Sequence, residues 1–192
     1  MTLNMLIGIL EQGLIYGIMA MGLLITYRIL DFPDLTVDSS FPLGAAVSAT
    51  LTLQGVAPWL TLLIGCAAGG IAGLITGLIH VKCRVRDLLS GIITMTGLYS
   101  INLHIAQNKA NLPLFGGDTL FRNAFTKSLP KAISPYTTLI IILLIALIAK
   151  ILLDLFLRTK CGYLLRAAGD NPSVVTTLSR DQGTVKILGL II

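Results

Sequence analysis

Ionisable side chains are scarce in this sequence, so each one inside an apolar run is a candidate for chemistry. Glu11 interrupts the first run together with Gln12, while Lys150 and Asp154 stand four apart in a later one. That spacing places the second pair on one helix face, where they can pair or reach toward an interface. Charges held among apolar residues are costly and mark substrate or ion pathways. Asp31, Asp34 and Asp38 crowd a stretch with two prolines, and Thr36 and Ser39 add hydroxyls beside them. This cluster is read in two ways: as local caps for a broken helix, or as the wall of a polar path. His80 and His104 lack partners at metal spacing, so no metal site is expected. Cys66, Cys83 and Cys161 show neither metal nor redox spacing and are read as free thiols. No phosphate-binding GxxxxGK[ST], GxSxG elbow or HExxH is present. Catalysis therefore has no support, and no cofactor is expected.

The elements that must position these residues are membrane helices. Of the 192 residues 55% are hydrophobic and 12% charged, with mean hydropathy +0.87. A soluble domain carries about 25% charged residues. The net charge of +5 comes from Lys and Arg scattered through short connections. No dense basic face with interleaved aromatics suggests nucleic acid. The first run, about Leu3–Tyr27, has no basic residues before it and reads as a retained span rather than a cleaved signal. Residues 31–53, "DFPDLTVDSSFPLGAAVSATLTL", have too short an apolar part for a simple span and predict a broken or re-entrant helix. Spans follow over about Pro58–Val81, Asp87–Ile105 and Tyr136–Leu157, and "KILGLII" opens a sixth apolar segment. The fourth span is unusually polar, with Ser90, Thr94, Thr96, Ser100, Asn102 and His104. With the N-terminus outside, nine Lys and Arg fall on the inner side and four in the outer loop of residues 106–134. The positive-inside rule therefore predicts that orientation. The fold expected is all-α: a polytopic helical bundle with a discontinuous second helix and a cytosolic loop over about 158–186.

Two further patterns bear on packing. Gly65, Gly69, Gly73 and Gly77 recur every four residues and form one small-residue stripe, which predicts close helix approach. "LRAAGDNPSV", residues 164–173, is polar against its surroundings. There Asn171 is a good N-cap and Pro172 a good first helical residue. Val174, Val175 and Leu178 share a face of the short helix that follows, to about Arg180. So short a helix is marginal alone in water and needs a surface to lie on, either lipid or a protein groove. Gly162 and Gly169 would allow the chain to turn sharply on either side of Arg166.

The stretches "ILDFPDLTVDSSFPLGAAVSATL", "GIITMTGLYSINLHI", "NLPLFG" and "FLRTKCGYLLRAAGDNP" resemble the membrane subunit of bacterial ATP-binding-cassette importers. Within these they are similar to the permeases related to branched-chain amino acid and ribose uptake, some of which serve tryptophan or tyrosine. The resemblance covers about Glu11 to Leu190. It implies a multi-pass permease in the bacterial plasma (inner) membrane, surrounded by lipid, that pairs with a second copy. It also implies two cytosolic ATPase subunits, which hydrolyse the ATP, and an extracytoplasmic solute-binding protein. On the same ground the "GDNP" loop carries the coupling helix that sits in an ATPase groove. This assigns ATPase coupling to Arg166, Gly169, Asp170, Asn171, Pro172, Val174, Val175 and Leu178. Asp31–Leu43 aligns with the discontinuous helix beside the translocation path, for which Glu11, Asp31, Asp34, Asp38, Ser39 and Asn102 are the candidates. Ser39 stands where the pattern has glycine. Family members run about half again as long, so residues 1–192 are read as one permease domain cut short. The alternative is an ion- or proton-coupled secondary transporter, with Glu11, Lys150 or Asp154 carrying the coupling.

Overall fold

Apolar residues on every side and no internal proline keep the first segment helical along its length. Helix α1 runs Leu3–Leu23 and continues as a π-helical turn over Leu24–Ile29. The computed structural model describes residues 3–109, 112, 114, 119, 134–170 and 182–192. In the π turn the Leu30 N–H reaches back five residues to the Ile25 carbonyl at 3.0 Å, and the Phe32 N–H reaches Thr26 at 2.9 Å. Asp31 then takes a φ of +51°, and the chain leaves helical geometry until Thr36. Pro33 helps to hold it there, because the residue before a proline avoids the helical region.

Helix α2, Val37–Leu53, has 17 residues. At 1.5 Å per residue it spans about 25 Å, short of the roughly 30 Å hydrocarbon core. Pro42 lies inside it and removes the N–H that would bond the Asp38 carbonyl. Helix α3, Pro58–Lys82, starts with proline in its first turn, where the missing N–H costs nothing. The two run antiparallel: Thr36 meets Thr76 near one end, Gly44 meets Gly65, and Ser48 meets Thr61 at the other. The second helix is thus broken from α1 by the non-helical residues 31–35 and lies along α3 from Thr76 to Thr61.

Helix α4, Asp87–Ile105, has the bounds expected from its sequence and lies parallel to α2. Gly91 packs on Asp34 and Leu35, Ser39 reaches Met95, and Leu98 joins Leu43 and Ala72 in a small core. Helix α5, Ser134–Leu157, packs on α1. Helix α6, Lys160–Asp170, and helix α7, Gln182–Ile191, follow. Among the described residues four helices are long and apolar enough to cross a membrane: α1 with its π turn, α3, α4 and α5. The outward faces of α3 and α5 expose Trp59 and Leu152, as helices solvated by lipid do. The all-α bundle read from the sequence is the architecture observed.

One expectation about glycine is corrected. Gly162 and Gly169 do not turn the chain, because both lie inside the continuous α6. Their lack of a side chain serves close approach instead. A Cβ on Gly162 would sit 2.5 Å from the Leu157 Cα, and one on Gly169 would collide with the Ile29 carbonyl oxygen.

Candidate functional site

The break between α1 and α2 is where the polar residues converge. Asp34, 7% exposed, accepts a hydrogen bond from the Thr36 N–H at 2.8 Å, which closes a local turn ahead of α2. Thr36 and Thr76, both fully buried, share a hydroxyl–hydroxyl bond of 2.9 Å, and Thr76 also donates to the Ala72 carbonyl at 3.1 Å. A cavity of about 260 Å³ opens beside them between α1, α2, α3 and α7. Thr26, Asp34, Thr36 and Ser40 are its polar wall, with Ile18 and Phe41 on the apolar side. Small residues make the room: Gly22, Gly69, Gly70 and Gly73 border the same space.

The elements on either side of residues 171–181 close on this break. Leu30 and Phe32 form one buried core with Leu165 and Ala168 of α6 and with Val185 and Leu190 of α7. Gly169 brings α6 against the Ile29 carbonyl, while Gly189 of α7 lies under Leu30 and Leu165. Burying a leucine-sized side chain stabilises by about 1.5–3 kcal/mol, so the five large members tie α6 and α7 firmly to the π turn. The same end of the bundle gathers Arg28, Lys82, Arg84, Arg86, Arg158, Arg166 and Lys186.

The sequence-derived candidates divide accordingly. Asp34 lines the cavity, whereas Asp31 and Asp38 are exposed beside it. The local caps expected of the hydroxyls are replaced by contacts between helices: Thr36 bonds Thr76, and Ser39 donates to the Met95 carbonyl at 3.0 Å. Asn102 donates to the Ser39 carbonyl at 2.9 Å, and its Oδ1 is buried without a partner. Ser39 and Asn102 thus sit in the α2–α4 seam and not on the cavity wall. Glu11 does not touch the cavity, although it lies on the α1 face that Ile18 and Gly22 present there. Lys150 and Asp154 are exposed on α5 and do not pair. Arg166 is exposed on α6, with Gly169 and Asp170 at its end. Asn171, Pro172, Val174, Val175 and Leu178 lie outside the described residues. Among the described residues no three His, Cys, Asp or Glu side chains gather at metal distance.

The glycine stripe is shared between two partners. Gly65 packs on Gly44 of α2, Gly73 and Gly77 pack on Leu190 and Ile187 of α7, and Gly69 has open space around it. Sequence reasoning missed Thr26, Thr76, Phe32 and His80. A lone threonine in an apolar run carries no signal of its partner, and the Phe32–His80 contact joins positions 48 apart.

Comparison with known proteins gives these features a context. The family model described as "Branched-chain amino acid transport system / permease component" matches residues 5–192. A tyrosine transport system permease protein of Clostridioides difficile is 43% identical over 187 residues, covering 97% of this chain and 59% of the relative. The uncharacterized protein RP368 of Rickettsia prowazekii is 33% identical over 98% of this chain and 63% of its own length. A probable branched-chain amino acid transport permease protein LivH of Methanocaldococcus jannaschii is 32% identical over 96% of this chain and 61% of its own length. The chain thus spans about three-fifths of the curated relatives that it matches. No solved structure matches it.

Proposed function

This chain belongs to the branched-chain amino acid transport permease family, and from that premise we propose that it is the membrane-spanning component of an ATP-driven importer. It carries amino acids or similar small organic solutes across the plasma membrane, with its N-terminus outside. The names of two relatives, a tyrosine permease and a probable branched-chain amino acid permease, point to aromatic or branched-chain side chains. Two cytosolic ATPase subunits, a second permease copy and an extracytoplasmic binding protein complete the assembly.

One observation carries the mechanism: α6 and α7, which flank residues 171–181, both close on Leu30 and Phe32 at the helix break. Closure of the ATPases on ATP pushes residues 170–180, and the flanking helices deliver that displacement to the segment 29–36. Packed helices respond to such a push by rigid-body shifts rather than by gradual deformation. Movement of that segment opens or closes the cavity that Asp34, Thr36 and Ser40 line. The polar wall suits an ammonium or hydroxyl, and Ile18 and Phe41 suit an apolar side chain.

The test replaces Val174, Val175 and Leu178 together by Asp in the complex with its ATPase and binding protein. Loss of ATPase co-purification and of tyrosine or branched-chain amino acid uptake is expected. Undiminished uptake by that triple variant would refute the proposal.

A further inference from the structure

His80, near the end of α3, meets three other parts of the chain. Its Nδ1 lies 2.8 Å from the Val85 carbonyl and 3.0 Å from Asp87 Oδ1, and its Nε2 lies 3.2 Å from Lys186 Nζ. The ring also stands edge-on to Phe32, 5.2 Å between centroids at 82°. The connection after α3, the start of α4, the start of α7 and the helix break thus meet on one imidazole.

Hydrogen-bond logic fixes the proton on that ring. A carbonyl and a carboxylate only accept, so Nδ1 carries the hydrogen. An ammonium only donates, so Nε2 presents its lone pair to Lys186. The arrangement exists for the neutral ring alone. A second proton would place an N–H against the ammonium, while the contact with Asp87 would strengthen. The charged groups around a cavity of about 430 Å³ beside the ring are Arg84 and Arg86 from the connection, Asp87 from α4 and Lys186 from α7. Three of these four are cationic, and Asp87 is the one anion.

We propose that His80 is a positioning residue that holds the start of α7 to the turn between α3 and α4 only while its ring is neutral. Protonation from the cytosolic side releases α7 where the chain leaves residues 171–181, and this weakens delivery of the ATPase stroke to the helix break. The consequence for transport rests on the permease reading above, whereas the latch itself does not.

Hydrogen exchange of the purified chain in phospholipid nanodiscs tests the latch directly, read on peptides from residues 182–190. Comparing proteins at the same pH cancels the intrinsic pH dependence of exchange. His80→Asn keeps a donor near Nδ1 but has no acceptor for Lys186, whereas the longer His80→Gln presents its carbonyl near the Nε2 position. Histidine changes charge between about pH 5 and 8, so the measurement is made near both limits. At about pH 7.5 the wild type and His80→Gln should exchange about tenfold more slowly than His80→Asn, the scale of one lost hydrogen bond to a charged group. At about pH 5 the wild type should match His80→Asn, and His80→Gln should stay protected. Lys186→Met, which leaves α3 untouched, should exchange fast at both values. A wild-type to His80→Asn ratio that is the same at both pH values, or full protection in Lys186→Met, would overturn the latch. Uptake by the assembled complex in proteoliposomes is the separate arm. No ATP-driven uptake by the wild type would sink the permease reading and leave the exchange result standing.

Discussion

Hydroxyl groups fasten the helix break at the level of single residues. Thr36 and Thr76 bond each other while almost fully buried, and because Thr76 also donates to the Ala72 carbonyl, it is removal of Thr76 that strands the hydroxyl of Thr36. Thr76→Val should cost about 1–2 kcal/mol, and the double change with Thr36→Val should cost less than the two single changes together. Thermal unfolding in detergent reads both, and strictly additive losses would show that the bond contributes nothing. Asp34 permits a sharper separation of roles. Asp34→Asn keeps the oxygen that accepts the Thr36 N–H, so its stability should stay close to wild type. Asp34→Ala loses that turn and should cost about 1 kcal/mol. If the carboxylate faces a substrate ammonium in the cavity, Asp34→Asn should lower uptake about tenfold or more while unfolding like wild type. Equal uptake by wild type and Asp34→Asn would leave Asp34 with the cap alone.

Between elements, the small residues of α3 set how closely its neighbours approach, and the stripe is not uniform. Gly73 holds the backbone of α3 against the Leu190 carbonyl, so Gly73→Ala must push α7 away. A cost of about 1–3 kcal/mol is expected, the range for overpacking. Gly69 meets nothing within 4 Å, and Gly69→Ala should be neutral or gain about 0.5–1 kcal/mol from helix propensity. Equal destabilisation by both in detergent melts would contradict this division. The same contrast shows what a sequence of this kind discloses. The bounds of α3 and α4 were legible because apolar runs are ended by Lys82 and begun by Asp87. The break before the second helix was legible because Asp31, Asp34, Asp38 and two prolines crowd the start of an apolar stretch too short to span alone. What stayed hidden was partnership. Periodicity places Gly65 and Gly73 on one face, but only the fold assigns one to α2 and the other to α7. Gly162 and Gly169 were read as hinges for the same reason: a glycine shows freedom in sequence, and its close neighbour appears only in space.

Across the whole molecule, a push at the loop of residues 171–181 is proposed to reach the cavity through the contacts that the break makes with α6 and α7. Gly169 is the tightest of these, since any side chain there meets the Ile29 carbonyl. Although Gly169 borders the proposed docking segment, its α-carbon faces the Ile29 carbonyl. Gly169→Leu should thus force α6 off the π turn while leaving the sequence of the docking residues Asn171, Pro172, Val174, Val175 and Leu178 as it is. The ATPase should therefore still bind and turn over within about twofold of wild type, while uptake falls about tenfold or more, the size of a typical coupling energy. A general folding defect would lower both together, so the ratio of solute moved to ATP hydrolysed is the decisive reading. Gly17→Leu is the matched control, because Gly17 has open space around it on α1 and the change adds the same bulk to a helix. Its ratio should equal that of wild type. Should Gly169→Leu keep a normal ratio, the stroke does not pass through the contact between α6 and the π turn. The core formed by Val185 and Leu190 of α7 with Leu30 and Phe32 would then be the route left to carry it.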